Sequence, residues 1–286
     1  MKDFTTVLTM YRETRAEILA QLREIYDGSY AKAWGNGKDF RWEGKVGLLA
    51  GVTPAIDREY AMHQVMGERF LLYRVKGAPS RSQALRAIAQ STATELDQRQ
   101  GLRTVVAQFL ERVLPVPPPM PADITEAIAA LAEFTAVARS PIIFDQRGEI
   151  EYIPTPEAPG RLAKQFALLA RALAVVRGER EVGVSTYVTV SQVAQDTLPA
   201  QRQVMLEVLL EPDRLEPATT AQIAKATRYP TVTARRYLQE LAALRLVDRL
   251  AAEGQGHPDR WSASSLLTGL LNDMNRPLTQ QGVSVV

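Results

Sequence analysis

The chain has 286 residues, 46% of them hydrophobic, with no cysteine, two histidines and a formal net charge of +2 (pI near 8.8). That length and apolar content can fill a sizeable core and two domains or more. The absence of cysteine excludes disulfides, thiolate metal sites and cysteine nucleophiles, and His63 and His257 alone do not make a His-rich metal site. No signal-peptide pattern and no apolar run of membrane-spanning length occurs, so the sequence predicts a soluble cytoplasmic protein with no membrane partner.

In chain order, MKDFTTVLTM predicts a β-strand with Asp3 near its start. A helix follows over RETRAEILAQLREIYDG, with Ile18, Leu19, Leu22 and Ile25 on one side. WGNGKDFRWEGK reads as a hairpin with Gly35 and Gly37 in its turn. KVGLLAGVTPAID is a nearly continuous apolar run, the pattern of a buried parallel strand, ending at Thr53 and Pro54. GERFLLYRV, after a short helix, predicts another buried strand headed by Arg69. Residues 1–77 are therefore expected to be α/β, and 78–199 helical.

The helical part is broken by LPVPPPMPAD, an ordered turn or short linker, and carries a small hairpin at PIIFDQRGEIEYIP with Gly148 near its turn. EAPGRLAKQFALLARALAVVRG is a helix whose ALLARALAVV stripe reads as core. Residues 266–286 are expected to be a tail that frays from about Asn275. Trp34, Trp42 and Trp261 read as packing anchors, because none lies in a basic-aromatic alternation. No GxSxG, HExxH or recognisable carboxylate pair is present, and no internal repeat.

The stretch TTAQIAKATRYPTVTARRYLQELAALRLVDRLAAEGQGHPDRWSAS, Thr219–Ser264, carries the clearest functional pattern. Thr219 or Thr220 caps a short helix with Ile223 and Ala224 inward, and Pro230 ends it by holding Tyr229 extended. In the next helix Ala234, Leu238 and Leu241 form the apolar side, which leaves Thr231, Thr233, Arg235, Arg236 and Gln239 facing solvent. Leu246–Ala251 and Arg260–Ala263 predict strands joined by EGQGHPD. The pattern, taken as 200–265, resembles the arsenical-repressor and multiple-antibiotic-resistance types of winged helix-turn-helix, although Arg245 stands where those families commonly carry Gly. The resemblance implies double-stranded DNA as partner, contacted by Arg228, Thr231, Thr233, Arg235, Arg236 and Gln239, with Arg249, His257 and Arg260 from the wing. Docking to protein is the alternative use of such a module.

The order of elements in the first half resembles the second half of an AAA+ ATPase core, nearest the helicase- and primase-associated ATPases of phages and mobile elements and more distantly the minichromosome-maintenance helicases. The resemblance implies a role in DNA replication. It places Asp3 at the end of the Walker B strand, Thr53 at sensor 1, Arg69 at the arginine finger and, in the lid-like helix, Arg161 at sensor 2. Such groups orient magnesium and water and neutralise charge on a transferring phosphoryl group. The sequence contains no GxxxxGK[ST] phosphate loop, and Phe4 follows Asp3 where an acid is usual.

Each of these residues also has a local reading. Asp3 can cap a turn, Thr53-Pro54 can start a helix, Arg69 can pair with Glu68 or Asp57, and Arg161 can decorate a helix start.

The sequence thus predicts a mainly α protein: an α/β partial AAA+-like core, a helical lid-like region and a C-terminal winged helix-turn-helix. Its expected role is the DNA-binding part of a mobile-element DNA-processing ATPase, a fragment or split-gene product that is not catalytic by itself. It needs no cofactor unless a missing N-terminal half supplies an ATP and Mg²⁺ site, and its partners would include that half or further copies of itself. The alternative is a free-standing transcription regulator whose residues 1–198 are an oligomerisation or effector domain.

Overall fold

The computed structural model describes residues 3–33, 39–57, 69–75, 80–90, 95–113, 116–211, 216–250 and 258–280. Trp34, Gly35, Gly37, His63 and His257 lie outside them. The protein is mostly helical, and its sheets are small and antiparallel. Among the described residues no helix is long and apolar enough to cross a membrane.

The chain begins with α1 (Thr5–Leu8) rather than a strand. Asp3 Oδ1 accepts a hydrogen bond from the Thr5 amide at 2.8 Å, which favours a turn over an extended start. Phe4, Val7 and Leu8 are all buried, and that spacing belongs to a helix. Next, α2 (Arg12–Asp27) buries Leu19 completely, with Ile18 and Leu22 packed beside it, and ends at Gly28 with φ 103°. The hairpin β1 (Ser29–Ala33) and β2 (Asp39–Glu43) is antiparallel.

Neither expected parallel strand forms among the described residues. Residues 45–53 carry no ladder; Val46, Leu48, Leu49 and Val52 are exposed, and a 3-10 turn follows at Pro54–Asp57. Residues 70–75 are also irregular. Two of their amides meet side chains instead of a neighbouring strand: Leu72 N–H donates to Thr197 Oγ1 (3.1 Å) and Arg74 N–H to Asp196 Oδ2 (2.8 Å). An apolar run makes a buried strand only where strands flank it, and here α1 occupies the position that the first strand was expected to fill.

Helices α3 (Arg81–Gln90) and α4 (Glu95–Arg112) follow, exposed throughout their described side chains. Then come α5 (Ala122–Ala138), the hairpin β3 (Ile143–Phe144) and β4 (Ile150–Tyr152), α6 (Gly160–Arg177), α7 (Val184–Asp196) and α8 (Ala200–Leu209). Gly148 turns the hairpin at φ 83°. In α6 the inward set is Leu162, Phe166, Ala170 and Ala174, one residue per turn, whereas Leu168 and Val176 of the expected core stripe face outward.

The remaining elements are β5 (Ala218–Thr219), α9 (Thr220–Thr227), α10 (Thr231–Ala243), β6 (Val247–Leu250), β7 (Arg260–Ala263) and α11 (Ser265–Gln280). The expected tail is thus a helix. Leu267, Leu270, Met274 and Leu278 recur at helical spacing and are buried, and α5 is the main surface that α11 packs on. The buried Tyr187 hydroxyl donates to the Met274 carbonyl at 2.8 Å, and its burial raises its pKa far above the ordinary tyrosine value. One cluster of buried apolar residues includes members from Ile124 to Leu278. A second, small cluster gathers Phe4, Val7, Leu8, Leu19 and Ile56, with Phe70 and Leu72 against it.

Candidate nucleic-acid interface

The best-formed candidate surface is built by α9, the turn Arg228–Pro230, α10 and the β6–β7 hairpin. Thr219 caps α9 through a reciprocal pair: Thr219 Oγ1 accepts from Gln222 N–H at 3.3 Å and Gln222 Oε1 accepts from Thr219 N–H at 2.8 Å. Ile223 and Ala224 are buried. The helix stops where Arg228 turns left-handed at φ 59°, and the Tyr229 amide closes the end on the Ala224 carbonyl at 3.1 Å. Pro230 then starts α10 with extended backbone and no side-chain cap.

Helix α10 is divided as its spacing predicts. Ala234, Leu238 and Leu241 are fully buried; Thr231, Arg235 and Arg236 are exposed; Thr233 and Gln239 are half-buried, partly covered by the body of the protein. At its end Arg245 adopts φ 61°, with its amide bonded to the Ala242 carbonyl (2.9 Å) and the Leu246 amide to the Leu241 carbonyl (3.0 Å). The left-handed cap that usually employs Gly is therefore made by Arg. Ser264 holds it, donating from Oγ to the Arg245 carbonyl at 2.7 Å.

β7 is the central strand, pairing with β5 on one side and β6 on the other. Trp261 is completely buried in it, and its indole N–H donates to Thr220 Oγ1 at 2.9 Å, locking the sheet to the start of α9. Trp42 is only half-buried.

The predicted cations divide into two groups. Among the described residues the guanidinium groups of Arg228 and Arg235 form no ion pair, and both side chains are exposed. Arg236 is drawn toward the body, 4.4 Å above the Phe144 ring and 3.4 Å from Glu240 Oε1. Arg249 is clamped by Asp259 at 2.7 Å, and Arg260 lies 3.9 Å from Glu216. Residues missed in the sequence join the exposed set: Val232 is 82% exposed in the first turn of α10, and Lys225 and Arg245 are exposed at neighbouring helix ends. Val232 was legible as a β-branched residue off the apolar stripe.

Below α10, Glu240 meets the fully buried Arg202 at 2.9 Å. Arg202 also donates to the carbonyls of Ala138 (2.9 Å) and Ser140 (2.6 Å), so α10, α8 and the end of α5 share one polar joint. Tyr237 beside it titrates high, first through burial and then through the Glu240 charge.

The residues matched to ATPase motifs sit elsewhere. Asp3 accepts from the Thr5 amide just before α1, and Thr5 Oγ1 accepts from the Thr53 amide at 3.1 Å. Arg69 makes a two-pronged pair with Asp27 (2.5 and 3.1 Å), not with Asp57, which pairs with Arg74. That bond holds the Asp27 carboxyl below its ordinary range, with smaller help from the charges of Arg161 and Arg23. Phe4 and Phe70 meet at 6.5 Å, bringing the Asp3 and Arg69 segments over one apolar cluster. The sequence matches no protein-family model and has no significant match among curated proteins.

Proposed function

We propose that residues 218–280 form a winged helix-turn-helix that binds duplex DNA, and that the chain is the DNA-binding portion of an AAA+-like DNA-processing ATPase. The observation that carries the DNA reading is the division of α10: one side fully buried, the other presenting Thr231, Val232 and Arg235, with Arg228 on the adjoining turn. A helix held by its back and open at its N-terminal half suits a major groove, and first-turn amides without a side-chain cap suit a phosphate. The β6–β7 hairpin supplies the wing. Support for the ATPase reading is the order of the Asp3, Thr53, Arg69 and Arg161 segments along the chain, and the packing of the first three around one small cluster.

Because the sequence has no phosphate loop, we expect no ATP hydrolysis by the chain alone. Nucleotide would require a complementary P-loop-bearing polypeptide, in which Arg69 and Arg161 would neutralise phosphate charge.

Titration of the full chain against several unrelated duplexes at two salt concentrations tests the reading. We expect binding that weakens with salt and varies modestly with sequence. No binding to any duplex at low salt would turn the module into a protein-docking domain. ATP turnover by the purified chain, abolished by Arg69→Ala, would overturn the claim that it lacks activity of its own.

A further inference from the structure

Helix α4 presents a surface that the proposed DNA-binding module does not use. Over its 18 residues no side chain is buried, yet Leu102 (66% exposed), Val105 (62%), Val106 (54%), Phe109 (40%) and Leu110 (63%) fall on one side of the helix. A solvated helix gains nothing from such a stripe, and a contiguous apolar face of this kind marks an association surface. Glu95 lies in its first turn and Arg112, beside Glu111, in its last.

We infer that α4 is a self-association helix, pairing antiparallel with α4 of a second copy of this chain. The spacing supplies the register. Glu95, Leu102 and Phe109 are a heptad apart, as are Gln98, Val105 and Arg112, and in an antiparallel pair the members of one set face those of the other. Leu102 then meets the partner subunit's Val105, Phe109 meets the partner subunit's Gln98, and Glu95 meets the partner subunit's Arg112, with every contact repeated by the two-fold axis.

A parallel pair would stack Glu95 on its own copy and Arg112 on its own copy, so charge selects the antiparallel form. Glu95 also accepts from Arg99 on its own helix at 2.6 Å, both side chains being solvent-facing, which orients the carboxylate without burying it. Helices about 27 Å long give an interface near the lower bound of about 1,000 Å² for specific association. The dimer is therefore expected to be weak, with Kd of about 1–100 μM.

Sedimentation equilibrium of the full chain without DNA, up to about 200 μM, tests this independently of any DNA binding. The wild type should be in monomer–dimer equilibrium. Val105→Asp should give a monomer whose melting temperature equals that of wild type when both are measured well below the dimer Kd, since Val105 is exposed within one chain. Glu95→Arg and Arg112→Glu should each weaken the dimer about tenfold, because each reversal strikes two symmetric pairs, and the double reversal should restore it to within about threefold.

A chain monomeric throughout the range overturns the proposal, as does a dimer indifferent to Val105→Asp. If Val105→Asp instead lowers the melting temperature of a monomer, the stripe is covered by its own chain and the proposal fails. A dimer lost in the single reversals and not restored in the double overturns the antiparallel pairing.

Discussion

Two adjacent arginines on α10 carry the same charge and different duties. Arg235 is exposed without a described carboxylate partner, whereas Arg236 spends its guanidinium on Phe144 and Glu240. Arg235→Ala should weaken duplex binding by about 1–3 kcal/mol if its contact is bidentate to a base, and less if it meets phosphate alone. Arg236→Ala should cost less affinity and instead lower stability by about 0.5–1 kcal/mol. Fluorescence anisotropy and urea denaturation of both variants separate the two effects. Val232 offers a finer test. An exposed valine at the groove-facing end of a helix suits the thymine methyl group, worth about 0.8 kcal/mol per buried carbon or roughly fourfold in affinity. Wild type should therefore prefer a thymine-containing duplex to the same duplex made with uracil, and Val232→Ala should bind the two equally. Equal binding by wild type would remove Val232 from the interface. His257 and the tip of the hairpin lie outside the described residues.

The joint beneath α10 belongs to the scale of elements. Arg202 comes from α8, Glu240 from α10, and the carbonyls of Ala138 and Ser140 from the end of α5. Arg202→Met leaves Glu240 buried beside a half-engaged Arg236, a loss expected to cost about 3–5 kcal/mol in urea denaturation. The double variant Arg202→Met/Glu240→Leu should recover most of it, because an apolar pair of similar size needs no counter-charge. Little in the sequence announced this joint. Glu240 reads as one more polar residue on a surface helix, and only the approach of α8, distant in sequence, makes it buried. By contrast α9 and α10 were legible residue by residue: the Thr219–Gln222 cap, Pro230, and the Ala234–Leu238–Leu241 stripe are local signals, and local hydrogen bonds and helical periodicity decide them.

At the scale of the whole molecule the apolar core from Ile124 to Leu278 makes α11 a structural member. Leu267→Ala should cost about 2–5 kcal/mol and still give one unfolding transition; a fraying tail would show no loss. The N-terminal segments attach differently. Arg69 grips Asp27, while Gln165 of α6 donates from its amide to the Arg69 carbonyl at 3.0 Å and to Tyr26 Oη at 3.0 Å. Because the Asp27 pKa is depressed on folding, its contribution is fully present above the ordinary value of 3.8 and is lost as pH falls through the lower, folded value. Asp27 is half exposed, so the share of the pair is modest. Acidification below that range should release the N-terminal cluster before the main core. Amide hydrogen exchange should show protection around Phe4–Leu8 falling first, and Asp27→Asn should show the same loss at neutral pH.

The helices and turns of 218–263 were determined by residues close in sequence, through caps, proline geometry and a repeating apolar stripe. The first half was different. GLLAGV has the composition of a buried strand, and composition states how much apolar surface must be covered without stating what covers it. The tertiary structure made Thr5–Leu8 a helical turn, left residues 45–53 without a ladder among the described residues, and bonded the amides of Leu72 and Arg74 to the side chains of Thr197 and Asp196. It likewise decided which arginines face outward. A guanidinium finds its partners across long sequence separations, as Arg69 with Asp27 and Arg202 with Glu240 do, and no local pattern encodes those meetings.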